Sequence, residues 1–212
     1  MEDGHKKVLI RQKFQTIKAG LQEYRLDKFI RMLESQPGKN KGNILPFVRG
    51  LRFSALLIYT IREFLQGTGL TASWGHIIDE NGVFCSRECD IIIHREGHIM
   101  RWNGDGGIHP VMDFKFIEQE DTIAVISCKS YLEKSHIEKE YCEDLKKYVS
   151  KVWLFSECCP PDKVATIREA AAQIGYESFW SLYTWDRTTD AITDLLEDWE
   201  NFVSEVKRLG GK

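Results

Sequence analysis

"WGHIIDENGVFCSRECDIIIHR", Trp74 to Arg95, followed by "DTIAVISCKSYL", Asp121 to Leu132, is the stretch on which the fold turns. "TASWGHIID" alternates apolar and polar residues and stops at "ENG", where asparagine and glycine favour a tight turn. "FCSRECDIIIHR" then returns with an isoleucine run, which suits a strand buried on both faces. "TIAVISCKSYL" has the same character and carries Lys129 out of its C-terminal end. Period-two geometry puts Glu88, Asp90 and Ile92 on one face of their strand, and Ser127 and Lys129 on one face of theirs.

Reading outward, a helix runs from Pro46 through "FVRGLRFSALLIYTIREFLQ" and ends at "GTG". Val8 to Glu34 is expected to form one or two amphipathic helices with Leu21, Tyr24, Leu26, Phe29, Ile30 and Leu33 as apolar positions. "SQPGKNKGN" reads as a linker, which divides the chain into a helical arm, residues 1–45, and a main domain, residues 46–212. "VMDFKFIE" is a weaker strand. "EKSHIEKEYCEDLKKYVS" is a helix by the spacing of Ile137, Tyr141, Leu145 and Tyr148, and "KVWLFSE" a short buried strand. A proline-led helix, the strand "SFWSLYTW" and an acidic helix over 188–209 follow. This order predicts an α/β protein with a mixed sheet covered by helices on both faces.

Composition limits the function classes. The 212 residues are 42% hydrophobic, enough for one good core, and the apolar run at "ALLIYTI" is too short to span a bilayer, so no membrane partner is expected and the cytoplasm is the expected location. Six cysteines, several within strand-like segments, suit a reducing compartment. Cys85, Cys89, His94 and His98 could form a zinc quartet, but their crowding into one hairpin favours buried thiols and surface histidines. Residues 1–52 hold twelve Lys or Arg against five Asp or Glu, a net +7, and the remainder carries −10. A basic arm beside an acidic body fits contact with phosphates next to metal-binding carboxylates, and also fits a solvated helix face.

Phosphodiester hydrolysis with magnesium needs carboxylates converging on the ion and a group that positions water. Asp90 and Lys129, on successive strong strands, supply the elements of such a site. In that order they resemble the PD-(D/E)xK nuclease superfamily, whose restriction-endonuclease-like core runs α-β-β-β-α-β. The hairpin with "IID", Ser-x-x-x-Asp-Ile and the lysine strand is similar to a largely uncharacterised bacterial group with a "VIEVKS" motif, over roughly Arg49 to Glu157.

The resemblance implies that Asp90 binds Mg2+ or Mn2+ and that Lys129 is the catalytic lysine. It implies DNA as substrate, a homodimer, and a restriction or phage-defence setting. The acidic member of the lysine motif is here Ser127, whose hydroxyl could hold a water, and a glutamate of the first helix falls on Ser54 or Leu57. Some restriction endonucleases of this superfamily carry Ser-x-Lys and draw the missing acid from the following helix. Glu143, fourteen positions after Lys129, has that spacing, but it projects away from the apolar stripe, whereas Glu138 and Asp144 lie at its margins. Glu88, on the face of Asp90, and Glu63, in the first long helix, complete the candidates. "WNGDGGIHP" lacks the following helix of a phosphate loop and is expected to be a hairpin tip. The alternative to an endonuclease is a degenerate nuclease-fold module that binds nucleic acid or a protein.

Overall fold

The computed structural model describes residues 2–26, 41–96, 99–101 and 114–211. Its elements are helices α1 (Glu2–Leu26), α2 (Lys41–Leu65), α3 (Lys139–Leu145), α4 (Val164–Ile174) and α5 (Leu196–Leu209). The strands are β1 (Leu70–Ile78), β2 (Cys89–Arg95), β3 (Ile99–Arg101), β4 (Phe114–Glu118), β5 (Thr122–Lys129), β6 (Lys151–Cys159), β7 (Ser178–Asp186) and β8 (Ala191–Asp194). They form one eight-stranded sheet in the order β3-β4-β1-β2-β5-β6-β7-β8.

The two motif strands lie side by side at the sheet centre. β2 pairs antiparallel with β1 and with β5, and Ile91, Ile92 and Ile93 face Ile126, Val125 and Ala124. All six are fully buried, as continuous apolar strands must be when both faces are covered. β5, β6 and β7 run parallel, so their C-terminal ends share one edge. α2, β1, β2, β5, α3 and β6 make up the α-β-β-β-α-β core.

One face packs under α1, α2 and α5 around Phe53, Phe155, Trp180, Trp199 and Phe202. The other lies under α3 and α4 around Ile92, Val125, Tyr141, Leu154 and Ile167. α1 adds Phe14, Ile17 and Leu21 to the first core, and the Trp199 indole N–H donates to the Ile10 carbonyl at 2.9 Å. Gly75 admits β4 against β1: a Cβ there would stand 1.8 Å from the Lys115 carbonyl oxygen.

Several sequence expectations are corrected. The helix expected over 188–209 begins only at Leu196, because "AITD" pairs with β7 as β8 after a turn in which Asp190 adopts φ 58°. The helix expected over 133–150 shrinks to seven residues, preceded by a 3-10 turn at Lys134–His136 in which the Glu133 and His136 side chains each accept the other's backbone N–H. α2 starts at Lys41, so "KGN" is helical and residue 45 falls inside the helix. Tyr24, Leu26, Phe29, Ile30, Leu33 and "WNGDGGIHP" lie outside the residues or side chains described. Among the described residues, no helix is long and apolar enough to cross a membrane.

Candidate active site

The β2–β5 ladder stops at Ile91 and Ile126. One residue further on, the strands part, and the Asp90 carboxylate occupies the fork: its Oδ2 accepts the Cys128 backbone N–H at 2.8 Å. A side chain thus takes the hydrogen bond that the partner strand has ceased to supply, which fixes the carboxylate beside the end of β5. Burial pushes the Asp90 carboxyl above the usual carboxylate range; the Cys128 N–H and the Lys129 charge pull it down, and Glu88 and Glu138 push it further up. Asp90, Lys129, Glu88 and Glu138 therefore share one electrostatic neighbourhood.

Lys129 leaves β5 at this fork, and its Nζ donates to Glu138 Oε1 at 2.7 Å. Glu138 immediately precedes α3, and its backbone carbonyl accepts from the Tyr176 hydroxyl at 3.4 Å. Glu88 stands just before β2, where its Oε1 accepts the Trp74 indole N–H at 2.8 Å. Trp74, Glu88 and Asp90 line a cavity of about 190 Å3 closed on its far side by Gly50, Ser54 and Ile58 of α2.

Asp90 and Glu88 line this cavity; Lys129 and Glu138 are not among its lining residues and act on the Asp90 carboxyl through their charges. Ser127 is fully buried and hydrogen-bonds the Tyr176 hydroxyl, which turns it away from the cavity. Glu143 projects into solvent and pairs with Lys139 at 3.5 Å, and Asp144 pairs with Lys147 at 2.9 Å. The fourteen-residue spacing does not deliver Glu143 to the fork, because α3 is one short helix that turns this residue outward. Glu63 pairs with Lys13 of α1 at 2.5 Å, away from the cavity lining. Ser54, not the core residue Leu57, is the α2 position that faces Asp90. Trp74 and Tyr176 were not foreseen; an indole on an alternating strand that needs a polar partner was the only available signal for the first.

The donor set can be tested against a divalent cation. Among the described residues no three His, Cys, Asp or Glu side chains converge as a ready cage. Magnesium, however, is commonly held by one or two carboxylates, with water and substrate oxygens completing the shell. Asp90 and Glu88 lining one small cavity meet that requirement, and carboxylate oxygens suit Mg2+ or Mn2+. The zinc reading of the hairpin has no such support, since His94 is buried with Nε2 on Ser73 and Nδ1 on the Arg95 carbonyl, and His98 lies outside the described residues.

No protein-family model and no curated protein matches the chain. Solved structures do. NucC from P. aeruginosa ATCC27853 in its cAAA-bound form superposes with a TM-score of 0.59 at 11% identity, covering 96% of this chain and 91% of that one. NucC from E. coli MS115-1 in its cAAA-bound form gives 0.62 at 9% identity over 96% and 90%. The apo form of the latter gives 0.53 at 9% over 73% and 82%. At these identities the likeness speaks to architecture alone, and it establishes that this chain has the restriction-endonuclease-like fold shared with NucC.

Proposed function

We propose that the protein is a magnesium-dependent DNA endonuclease whose site is the β2–β5 fork. The observation that carries this reading is the Asp90 carboxylate, fixed by the Cys128 N–H and within the field of Lys129, which Glu138 holds. Asp90 and Glu88 would hold the cation, which when bound would neutralise charge on the phosphate under attack. Lys129, oriented by Glu138, would position the attacking water by donating a hydrogen bond to it. Glu88 supplies the second carboxylate that Ser127 does not. Trp74 fixes the Glu88 carboxylate, and Ser54 keeps the α2 wall of the cavity small and polar. Manganese would substitute for magnesium, self-association would let both strands be cut, and phage defence is the natural setting given the fold shared with NucC.

The test is nicking of supercoiled plasmid by wild type, Asp90→Asn and Lys129→Ala with Mg2+, with Mn2+ or with chelator. A parallel set contains cAAA, because two of the similar structures carry it. Metal-dependent cutting by wild type alone supports the reading. Cutting that persists in Lys129→Ala, or that is absent from wild type in every arm, refutes it; in the second case DNA binding without cleavage would assign the fold a binding role.

A further inference from the structure

The two carboxylates of the cavity are each tied at one oxygen. Asp90 Oδ2 accepts the Cys128 backbone N–H at 2.8 Å, and Glu88 Oε1 accepts the Trp74 indole N–H at 2.8 Å. Among the described residues, Asp90 Oδ1 and Glu88 Oε2 accept no hydrogen bond.

Both donors are fixed. The first is a backbone amide of β5, an interior strand of the sheet. The second is braced: β1 and β4 pair Trp74 directly with Phe114, and the two rings meet edge to face at 5.0 Å. Phe114 in turn meets Phe116 at 5.4 Å and His76 at 5.3 Å, and His76 meets the exposed ring of Phe84 at 4.9 Å. An indole wedged against such a cluster keeps its N–H on Glu88.

The consequence is a choice of cation. Ca2+ takes about six to eight oxygens and commonly draws on both oxygens of a carboxylate, whereas Mg2+ takes about six in a near-regular octahedron and keeps several waters. A carboxylate pinned at one oxygen offers the other singly; chelation through both would turn Glu88 off the indole and Asp90 off the amide, each at the cost of a charge-assisted hydrogen bond. The cavity of about 190 Å3 has room for roughly six waters at about 30 Å3 each, so two single carboxylate oxygens and about four waters complete a magnesium shell inside it.

We propose that Trp74 determines cation specificity, making this cavity prefer Mg2+ and Mn2+ over Ca2+ by holding Glu88 to one available oxygen. This rests on the reading of Asp90 and Glu88 as the cation ligands, but it is measured by binding, without cleavage. Trp74 acts through Glu88 and is a positioning residue.

The experiment follows the free Mn2+ signal by electron paramagnetic resonance as Mn2+ is titrated into the full-length protein, and then as Mg2+ or Ca2+ displaces it. Wild type is expected to bind a single Mn2+, with Mg2+ displacing it at concentrations about tenfold below those needed of Ca2+. Asp90→Asn is expected to lose the site. Trp74→Phe, which keeps an aromatic ring and removes the N–H, is expected to bring the Ca2+ and Mg2+ midpoints about threefold closer or more. Phe114→Leu, which removes the brace and leaves the N–H, is expected to shift them in the same direction by less, and it carries the test should Trp74→Phe fail to fold. Trp185→Phe, whose indole donates to Asp190 in the β7–β8 turn, is expected to match wild type. Mere loosening of Glu88 would weaken all three cations in proportion and leave the ratio of midpoints alone. That unchanged ratio in Trp74→Phe, equal displacement by Ca2+ and Mg2+ in wild type, or no Mn2+ binding by wild type overturns the proposal. If the ratio shifts as expected but wild type never cuts DNA, the cation selectivity stands and the endonuclease reading fails; if Lys129→Ala abolishes metal-dependent cutting while Trp74→Phe keeps the wild-type ratio, the reverse holds.

Discussion

The strand that carries Asp90 at one end carries His94 near the other, and His94 makes the stability of this strand depend on pH. Its ring is fully buried; Nδ1 donates to the Arg95 carbonyl at 2.8 Å, so Nε2 is the acceptor for the Ser73 hydroxyl at 3.0 Å. Burial lowers its pKa to about 4; the Arg95 carbonyl and Asp121 oppose this, and Lys115 and Arg62 reinforce it. The unfolded chain has an ordinary imidazole near 6.5, so roughly 2.5 in pKa separates the two states, worth about 3 kcal/mol at most. The folded value is the lower one, so the unfolded state takes up the proton first. Stability is therefore full above about pH 7, falls by about 2 kcal/mol by about pH 5, and levels off near the folded value. Urea unfolding of wild type and His94→Asn between these two pH values measures the effect, with the pH slope as readout because the variant also shifts the absolute stability. A wild-type loss under about 0.5 kcal/mol, or an equal slope in the variant, would refute the assignment of a neutral, doubly bonded imidazole.

Three further outcomes are expected. Gly75→Ala drives a Cβ to 1.8 Å from the Lys115 carbonyl oxygen and must part β1 from β4; chemical denaturation should register a loss of about 3 kcal/mol or more. Asp90→Asn removes a carboxylate whose folded pKa is raised by burial, so protonation favours the wild-type fold: in thermal melts the variant should gain on wild type as pH rises through that folded value, and the gap should narrow in acid. Glu138→Gln should slow plasmid cleavage on the order of 100-fold by loosening Lys129, while Glu143→Gln, on the solvent face of α3, should cleave as wild type does.

The central strands were legible because burial on both faces forces their composition: "DIIIH" and "TIAVISC" can be little else than neighbouring interior strands. Asp90 and Lys129 are each the first charged residue beyond a buried run, which alone marks only a strand edge; their roles came from the resemblance that their order carries. The helical stripe of Ile137, Tyr141 and Leu145 left Glu138, Asp144 and Glu143 as rivals, and in the structure it is Glu138 that pairs with Lys129 while Glu143 pairs with Lys139. The stripe gave the wrong helix length, because Ile137 is buried from outside the helix, between the exposed 3-10 turn Lys134–His136 and α3. β8 was hidden because "AITD" has no buried face, its pattern coming from pairing with β7 and not from the core. The splaying of β2 from β5 depends on a side chain bonding a backbone amide of a distant residue, and periodicity carries no trace of it.

The most direct measurement is anomalous scattering from a crystal of the protein soaked in Mn2+. The account predicts one strong peak in the cavity between β2 and α2, within direct coordinating distance of Asp90 and Glu88, roughly 2.1 Å from their oxygens. A peak elsewhere with this cavity empty, or coordination by Glu143 in place of Glu88, would contradict it.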